Sequence, residues 1–88
     1  MGERRSNRGI HRTDQQILDH ATDVWLLTEV AAGRVRTQPQ NRMDLRRLAS
    51  DGLILAGFGT GALAALLPRG QRIVAAARGE YTLPREDG

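Results

Sequence analysis

Polar side chains between residues 38 and 50 are spaced so that several share one side of a predicted helix. On a helical wheel Leu45, Leu48 and Ala49 fall together and predict the side that packs inward. The opposite side carries Gln40, Met43, Arg46, Arg47 and Ser50. In a DNA major groove, glutamine can pair with adenine, arginine can pair with guanine, and methionine can contact a thymine methyl group. This side of the helix therefore predicts base recognition, although any solvated helix can have the same composition.

Other residues expected to contact DNA lie around this helix and near the start of the chain. The first twelve residues contain four arginines and only one acidic residue, Glu3, and the arginines are Arg4, Arg5, Arg8 and Arg12. This composition predicts a flexible basic arm over residues 1–12. The remaining candidates are Gln38, Asn41, Arg42, Arg34, Arg36 and Thr60. Arginines of the arm would contact phosphates, whereas side chains of the helix would contact base edges.

Two helices are predicted ahead of this one. Thr13-Asp14-Gln15-Gln16 matches a capping box and predicts a helix start. The apolar spacing then changes phase, so a second helix is expected with Thr22-Asp23 as its cap and Gly33 as its end. Trp25 is expected to anchor the core, because a lone tryptophan among leucine and valine is more often buried than free.

The third helix and a hairpin follow. Thr37-Gln38-Pro39-Gln40 matches another capping box, and Gly52 is expected to end the helix. The apolar runs LILAGF and ALAALL flank Gly59-Thr60-Gly61, which predicts a β-hairpin that stops at Pro68. QRIVAAAR predicts a short closing helix. The expected fold is α+β, with three helices, a two-stranded wing and a short C-terminal helix.

Two short motifs carry a resemblance to known DNA-binding proteins. Leu45, Leu48, Gly52, Leu53 and Ile54 match LxxLxxxGLI, and Leu67, Pro68 and Gly70 match LTxxG. The order helix, hairpin, helix resembles the second half of winged helix-turn-helix regulators of the MarR, PadR and ArsR types. That resemblance implies a winged helix-turn-helix domain over residues 13–79, a tail over residues 80–88, and sequence-specific binding of double-stranded DNA by a transcriptional regulator.

A single reading helix would bury little surface on DNA, so a homodimer on paired half-sites is expected. The candidate contact surfaces are Ile17 and Leu18 in the first helix, and Ile73 and Val74 in the closing helix.

Two alternatives from other classes remain. Gly57, Gly59 and Ala62 fit the spacing of a dinucleotide-binding fingerprint, which would require residues 62–67 to be helical rather than a strand. A winged fold could also serve as a protein-interaction module, such as an antirepressor or adaptor, without contacting DNA.

Composition narrows the functional class further. The 88 residues suffice for one small domain, and the net charge of +3 favours an anionic partner. The chain has no cysteine, and neither its two histidines, His11 and His20, nor its serines are spaced for catalysis, so no enzyme activity, metal or cofactor is expected. No apolar run follows the basic arm, and the uncharged stretch 52–68 is too short for a membrane span, so a cytoplasmic location is expected.

Overall fold

The computed structural model describes residues 12–56 and 59–84. This part of the chain has an α+β fold with four helices and one two-stranded antiparallel sheet, as the sequence predicted at this level. The elements are α1 (Asp14–Leu18), α2 (Ala21–Ala31), α3 (Arg42–Ser50), β1 (Ile54–Leu55), β2 (Ala65–Leu66) and α4 (Pro68–Ala77). Within the same residues, no helix combines the length and the apolar character that crossing a bilayer requires.

The first two helices begin and end largely at local signals. The Thr13 hydroxyl accepts a hydrogen bond from the Gln16 amide at 3.1 Å, and the Gln16 side chain accepts one from the Thr13 amide at 2.8 Å. This reciprocal pair confirms the predicted capping box. A second helix follows as expected, but its cap is His20, whose Nδ1 accepts from the Asp23 amide at 3.4 Å. Gly33 follows the end of α2 with φ of +75°, a conformation that glycine adopts without strain.

The predicted start of α3 is wrong, because the backbone around Thr37 is used by a strand-like pairing. The Thr37 amide donates to the Ala62 carbonyl at 2.8 Å, and the Thr37 carbonyl accepts from the Gly61 amide at 2.7 Å. An antiparallel bridge also joins Arg36 to Leu63. Residues 35–37 are therefore extended alongside the returning limb of the hairpin, and α3 starts only after Asn41.

The hairpin forms where it was predicted. Ile54 pairs with Leu66 and Leu55 with Ala65, in antiparallel register. Gly59 and Gly61 in the connecting turn have φ of +89° and +91°, which residues with a Cβ rarely adopt. Residues 62–67 are not helical. The dinucleotide-binding alternative is therefore contradicted, since it needs a helix at this point.

The core lies between the helices and the inner side of the hairpin. Its largest fully buried apolar side chains are Ile17, Leu27, Leu45, Leu48, Leu53, Ile54 and Ile73. Trp25 is not among them, since 62% of its surface is exposed. The buried side of α2 consists of Asp23, Leu26, Leu27 and Val30, and Trp25 points away from it. The prediction that Trp25 anchors the core is wrong.

The predicted dimer surfaces are also mostly interior. Ile17 and Ile73 have no exposed surface, and Val74 has 3%. These side chains join α1 and α4 to the core, so they are not free to contact a second copy. The closing helix α4 begins earlier than expected, at Pro68, whose missing amide proton suits a first helical turn. Gly70 then lies within α4 against the Leu53 carbonyl, where a Cβ would collide with the oxygen.

Candidate nucleic-acid interface

The solvent side of α3 carries a cluster of cationic and apolar side chains. Arg42, Met43 and Arg46 are all exposed, and Met43 has 75% of its surface exposed. Arg42 and Arg46 are one helical turn apart, so they lie on the same side of α3. Within residues 12–56 and 59–84, neither forms an ion pair with a carboxylate. Their charges are therefore available to an external anion.

Arg47 is arranged differently from these two arginines. Its Nη2 lies 2.5 Å from Oδ1 of Asp23 in α2, and its Nη1 lies 3.0 Å from Oδ1 of Asp44 in α3. The first contact spans 24 positions in the chain and ends on a carboxylate with no exposed surface. Arg47, which the sequence predicted to contact bases, is thus engaged in an ion pair that links α3 to α2.

Asp23 is the centre of a partly buried ion network. Besides Arg47, it binds Nη1 of Arg12 at 2.8 Å, and Arg12 in turn binds the Asp51 carboxylate through Nε at 2.9 Å and Nη2 at 2.6 Å. Burial alone would raise the pKa of Asp23, but hydrogen bonds from Arg47 and Arg12 outweigh it and hold the pKa below its ordinary value. Asp23 is therefore an anion at neutral pH.

The prediction that Arg12 belongs to a flexible basic arm is wrong. Its guanidinium lies between α2 and the end of α3, and its carbonyl accepts a hydrogen bond from Arg69 of α4. Arg69 also binds the Asp14 carboxylate at 2.7 Å and the Asp51 carbonyl at 2.6 Å. The ion network thus connects all four helices and fixes the orientation of α3.

The segment ahead of α3 joins this helix to the hairpin. Nη1 of Arg36 donates to the Gly61 carbonyl at 3.0 Å, and Nδ2 of Asn41 donates to the Arg36 carbonyl at 2.9 Å. Exposed Thr60 is next to Gly61 in the turn. Arg36 therefore lies between the start of α3 and the hairpin turn, which brings three sequence-predicted contact residues, Arg36, Asn41 and Thr60, to neighbouring positions.

Among the described residues, the backbone amides of the first turn of α3 have no hydrogen-bond partner. Oδ1 of Asn41 accepts from the Gln38 amide at 2.9 Å and makes no cap hydrogen bond to α3. The amides of the first helical turn therefore keep their capacity to bind an acceptor from solvent. Gln40 is exposed as expected, but it lies in the turn before α3 rather than on the helix.

Arg34 contributes less charge than its sequence position indicates. Its Nε and Nη2 bind the two carboxylate oxygens of Glu29 at 2.9 and 3.0 Å. The hydrogen bonds from Arg34 lower the pKa of Glu29, and the pair has no net charge. The predicted contacts of Arg4, Arg5 and Arg8 lie outside the described residues.

An open cavity of about 400 Å³ borders the same region. Its walls include exposed Trp25 on α2, Arg36, and the residues Gln38 and Asn41 that precede α3. The sequence gives no direct sign of this cavity, because Trp25 is expected in the core. The helical spacing of Leu26, Leu27 and Val30 was the signal that could have placed Trp25 on the outer side of α2.

Comparisons of the chain with protein family models, curated proteins and solved structures gave no match. The ligand of this surface is therefore inferred from the chemistry of its side chains.

Proposed function

We propose that the chain is a winged helix-turn-helix domain that binds double-stranded DNA and acts as a transcriptional regulator, with α3 as its recognition helix. The observation that carries this proposal is the pair Arg42 and Arg46, which flank exposed Met43 on α3 without a carboxylate partner in the described part of the chain. Two unpaired guanidinium groups on one helical side offer the donors that phosphates and guanine edges accept.

The arrangement around α3 supports a winged domain. The helix leads through Gly52 into β1. On the returning limb of the hairpin, β2 pairs with β1, and the residues just before β2 pair with residues 35–37. The hairpin therefore lies beside the start of α3, connected to it through Arg36. A helix inserted in the major groove would bring such a hairpin close to the adjacent sugar-phosphate backbone.

The side chains divide into two kinds of contact. Arg46 and Met43 on α3, with Gln40 just before it, are suited to base edges. Arg36, Thr60 and the free amides at the start of α3 are suited to phosphates, since a helix start attracts anions. Arg4, Arg5 and Arg8 would add phosphate contacts from the N-terminal segment. Arg47 would act indirectly, by fixing α3 through Asp23.

The test compares three substitutions that remove the same charge. Arg42→Ala and Arg46→Ala alter the outer side of α3, whereas Arg78→Ala alters an exposed arginine at the end of α4, in a groove that α3 does not line. The preferred site is first selected from randomised duplexes, and affinity is then measured by fluorescence anisotropy at several salt concentrations. We expect the two α3 variants to lose affinity by roughly 5–150-fold, as single base or phosphate contacts do.

The control and the salt dependence decide the outcome. Arg78→Ala should bind within about twofold of the unaltered protein, since one remote charge adds little at moderate salt. Deleting residues 1–10, which spares Arg12 and its ion pairs, should flatten the dependence of affinity on salt. Equal effects of all three substitutions, or an affinity independent of salt, would contradict binding through α3.

A protein-contact role is the second candidate, and the hairpin favours it. Leu55 and Leu63, on the two limbs of the hairpin, are 64% and 47% exposed. Apolar side chains on a hairpin can bind a second copy in a homodimer or a different protein. Sedimentation of the unaltered chain and of Leu55→Ser tests the homodimer. A monomer at high concentration that binds one duplex with full affinity would exclude it.

A further inference from the structure

We propose that the cavity beside the start of α3 binds an unstacked nucleobase. This inference rests on the proposed function in one respect, because the base would belong to nucleic acid held by the neighbouring arginines. The cavity has a volume of about 400 Å³ and is lined by Trp25, Leu26, Val35, Arg36, Gln38 and Asn41. Pockets that bind small molecules have volumes from about 300 to 1,000 Å³.

Trp25 supplies the surface on which a base can stack. The packed side of α2 is formed by Leu26, Leu27 and Val30, so the indole is not required by the core. It remains 62% exposed at the wall of the cavity. Leu26 and Val35 are almost fully buried and form the apolar part of the cavity wall. The flat face of a nucleobase can stack on the indole, while the polar edge of the base remains free to form hydrogen bonds. Every base has such a face.

The polar groups of the cavity match the edge of a base. The Gln38 side-chain amide has no hydrogen-bond partner among residues 12–56 and 59–84, and it offers two donors and an acceptor. Asn41 is less available, since its Oδ1 and Nδ2 already bind Gln38 and Arg36. Gln38 is therefore the side chain that would distinguish one base from another.

The charges around the cavity are compatible with the phosphate attached to a base. In the described part of the chain, the Arg36 guanidinium donates only from Nη1, to the Gly61 carbonyl, and its other donors are free. Glu29 also lines the cavity, but its charge is compensated by the two hydrogen bonds from Arg34. A base in a duplex has both faces covered by its neighbours, so the cavity can take only a single-stranded or extruded base.

The chain has a single tryptophan, so its fluorescence reports directly on the cavity. The protein is titrated with deoxyadenosine monophosphate, with single-stranded oligonucleotides of adenine or thymine, with a blunt duplex, and with the same duplex carrying a single-stranded overhang. We expect strong quenching by the single strands and by the overhang duplex, and much weaker quenching by the blunt duplex.

Substitutions at Trp25 test whether stacking contributes to affinity. Trp25→Leu keeps an apolar side chain but removes the ring, whereas Trp25→Phe keeps a smaller ring. Measured by anisotropy of labelled oligonucleotides, Trp25→Leu should weaken single-strand binding by about tenfold and Trp25→Phe by less. Tyr81→Leu is the matched control, because it removes an exposed aromatic ring outside the cavity, and it should leave affinity unchanged. Gln38→Leu should change the preference between adenine and thymine strands.

The outcomes separate this inference from the proposed function. If the blunt duplex binds and Arg42→Ala weakens it, while no nucleic acid changes Trp25 fluorescence, the base site is excluded and duplex binding stands. If single strands quench Trp25 and no duplex binds, the base site stands and duplex recognition fails. Equal affinities of Trp25→Leu and the unaltered protein for single strands would overturn the base site. A mononucleotide that binds as tightly as the oligonucleotides would overturn a strand as the source of the base.

Discussion

Asp23→Asn is the substitution for which the structure predicts the largest effect with the smallest change in shape. It removes one negative charge from a side chain with no exposed surface and leaves Arg12 and Arg47 facing a neutral amide. The amide can accept from one guanidinium, but its NH₂ group would meet the donors of the other. We therefore expect the free energy of unfolding of Asp23→Asn to be much lower than that of the unaltered protein.

The magnitude follows from what each arginine retains. Removing one partner of a fully buried ion pair costs about 3–5 kcal/mol. Here the arginine side chains are partly exposed, at 27% and 41%, and each keeps a second carboxylate, Asp51 at 2.6 Å for Arg12 and Asp44 at 3.0 Å for Arg47. The lower end applies, so Asp23→Asn should cost about 3 kcal/mol. For a domain of this size that lowers Tm by roughly 12–24 °C.

The assay is urea denaturation followed by circular dichroism, supported by thermal melts. Asp44→Asn is the matched control, because it makes the same chemical change in another partner of Arg47 whose side chain is 48% exposed. It should cost at most about 0.5 kcal/mol, as exposed pairs within a helix do. If the two variants lose equal stability, or if Asp23→Asn costs less than about 1 kcal/mol, the buried network does not hold α3 in the way inferred.

Three further measurements test other parts of the fold. The pKa of Asp23 is lowered in the folded state, so its contribution to stability is present above an ordinary aspartate pKa of about 3.9 and is lost as the pH falls further. The free energy of unfolding should therefore decrease below about pH 4 in the unaltered protein, and less steeply in Asp23→Asn. Parallel pH profiles of the two proteins would contradict this. Gly70→Ala should cost about 1–3 kcal/mol, as an overpacked core site does, because its Cβ would collide with the Leu53 carbonyl. A denaturation midpoint unchanged from that of the unaltered protein would show that α4 can shift. Thr37→Val should be neutral or stabilise by up to about 1 kcal/mol, because the Thr37 hydroxyl is buried and has no hydrogen-bond partner among the described residues. A clear loss of stability in the same assay would mean that the hydroxyl is hydrogen-bonded in solution.

Features whose partners lie within a few residues were predictable from the sequence. The capping box of Thr13 and Gln16 closes over three positions, and the turns at Gly33, Gly52 and Gly59 follow from the positive φ that glycine tolerates. The inward side of α3, with Leu45 and Leu48, follows from helical spacing alone. Such signals need no knowledge of how the elements pack.

The errors share a different cause. Thr37 lies in a sequence typical of a helix cap. However, its amide donates to the Ala62 carbonyl and its carbonyl accepts from the Gly61 amide, and both partners are more than twenty positions away. Trp25 is apolar enough for a core, yet α2 buries the side that includes Asp23. In both cases a contact distant in sequence prevailed over a local preference, because only the folded chain determines which partner is within reach.

The sequence by itself determined the order of the helices and the hairpin, and its excess of arginine favours an anionic partner. Tertiary structure alone decided which arginines remain available to that partner. Thirteen arginines look equivalent along the chain, but Arg12, Arg47 and Arg69 are bound to carboxylates across the helices, whereas Arg42 and Arg46 face solvent without one in the described residues. A guanidinium can pair with any carboxylate within a few ångströms, and packing sets those distances.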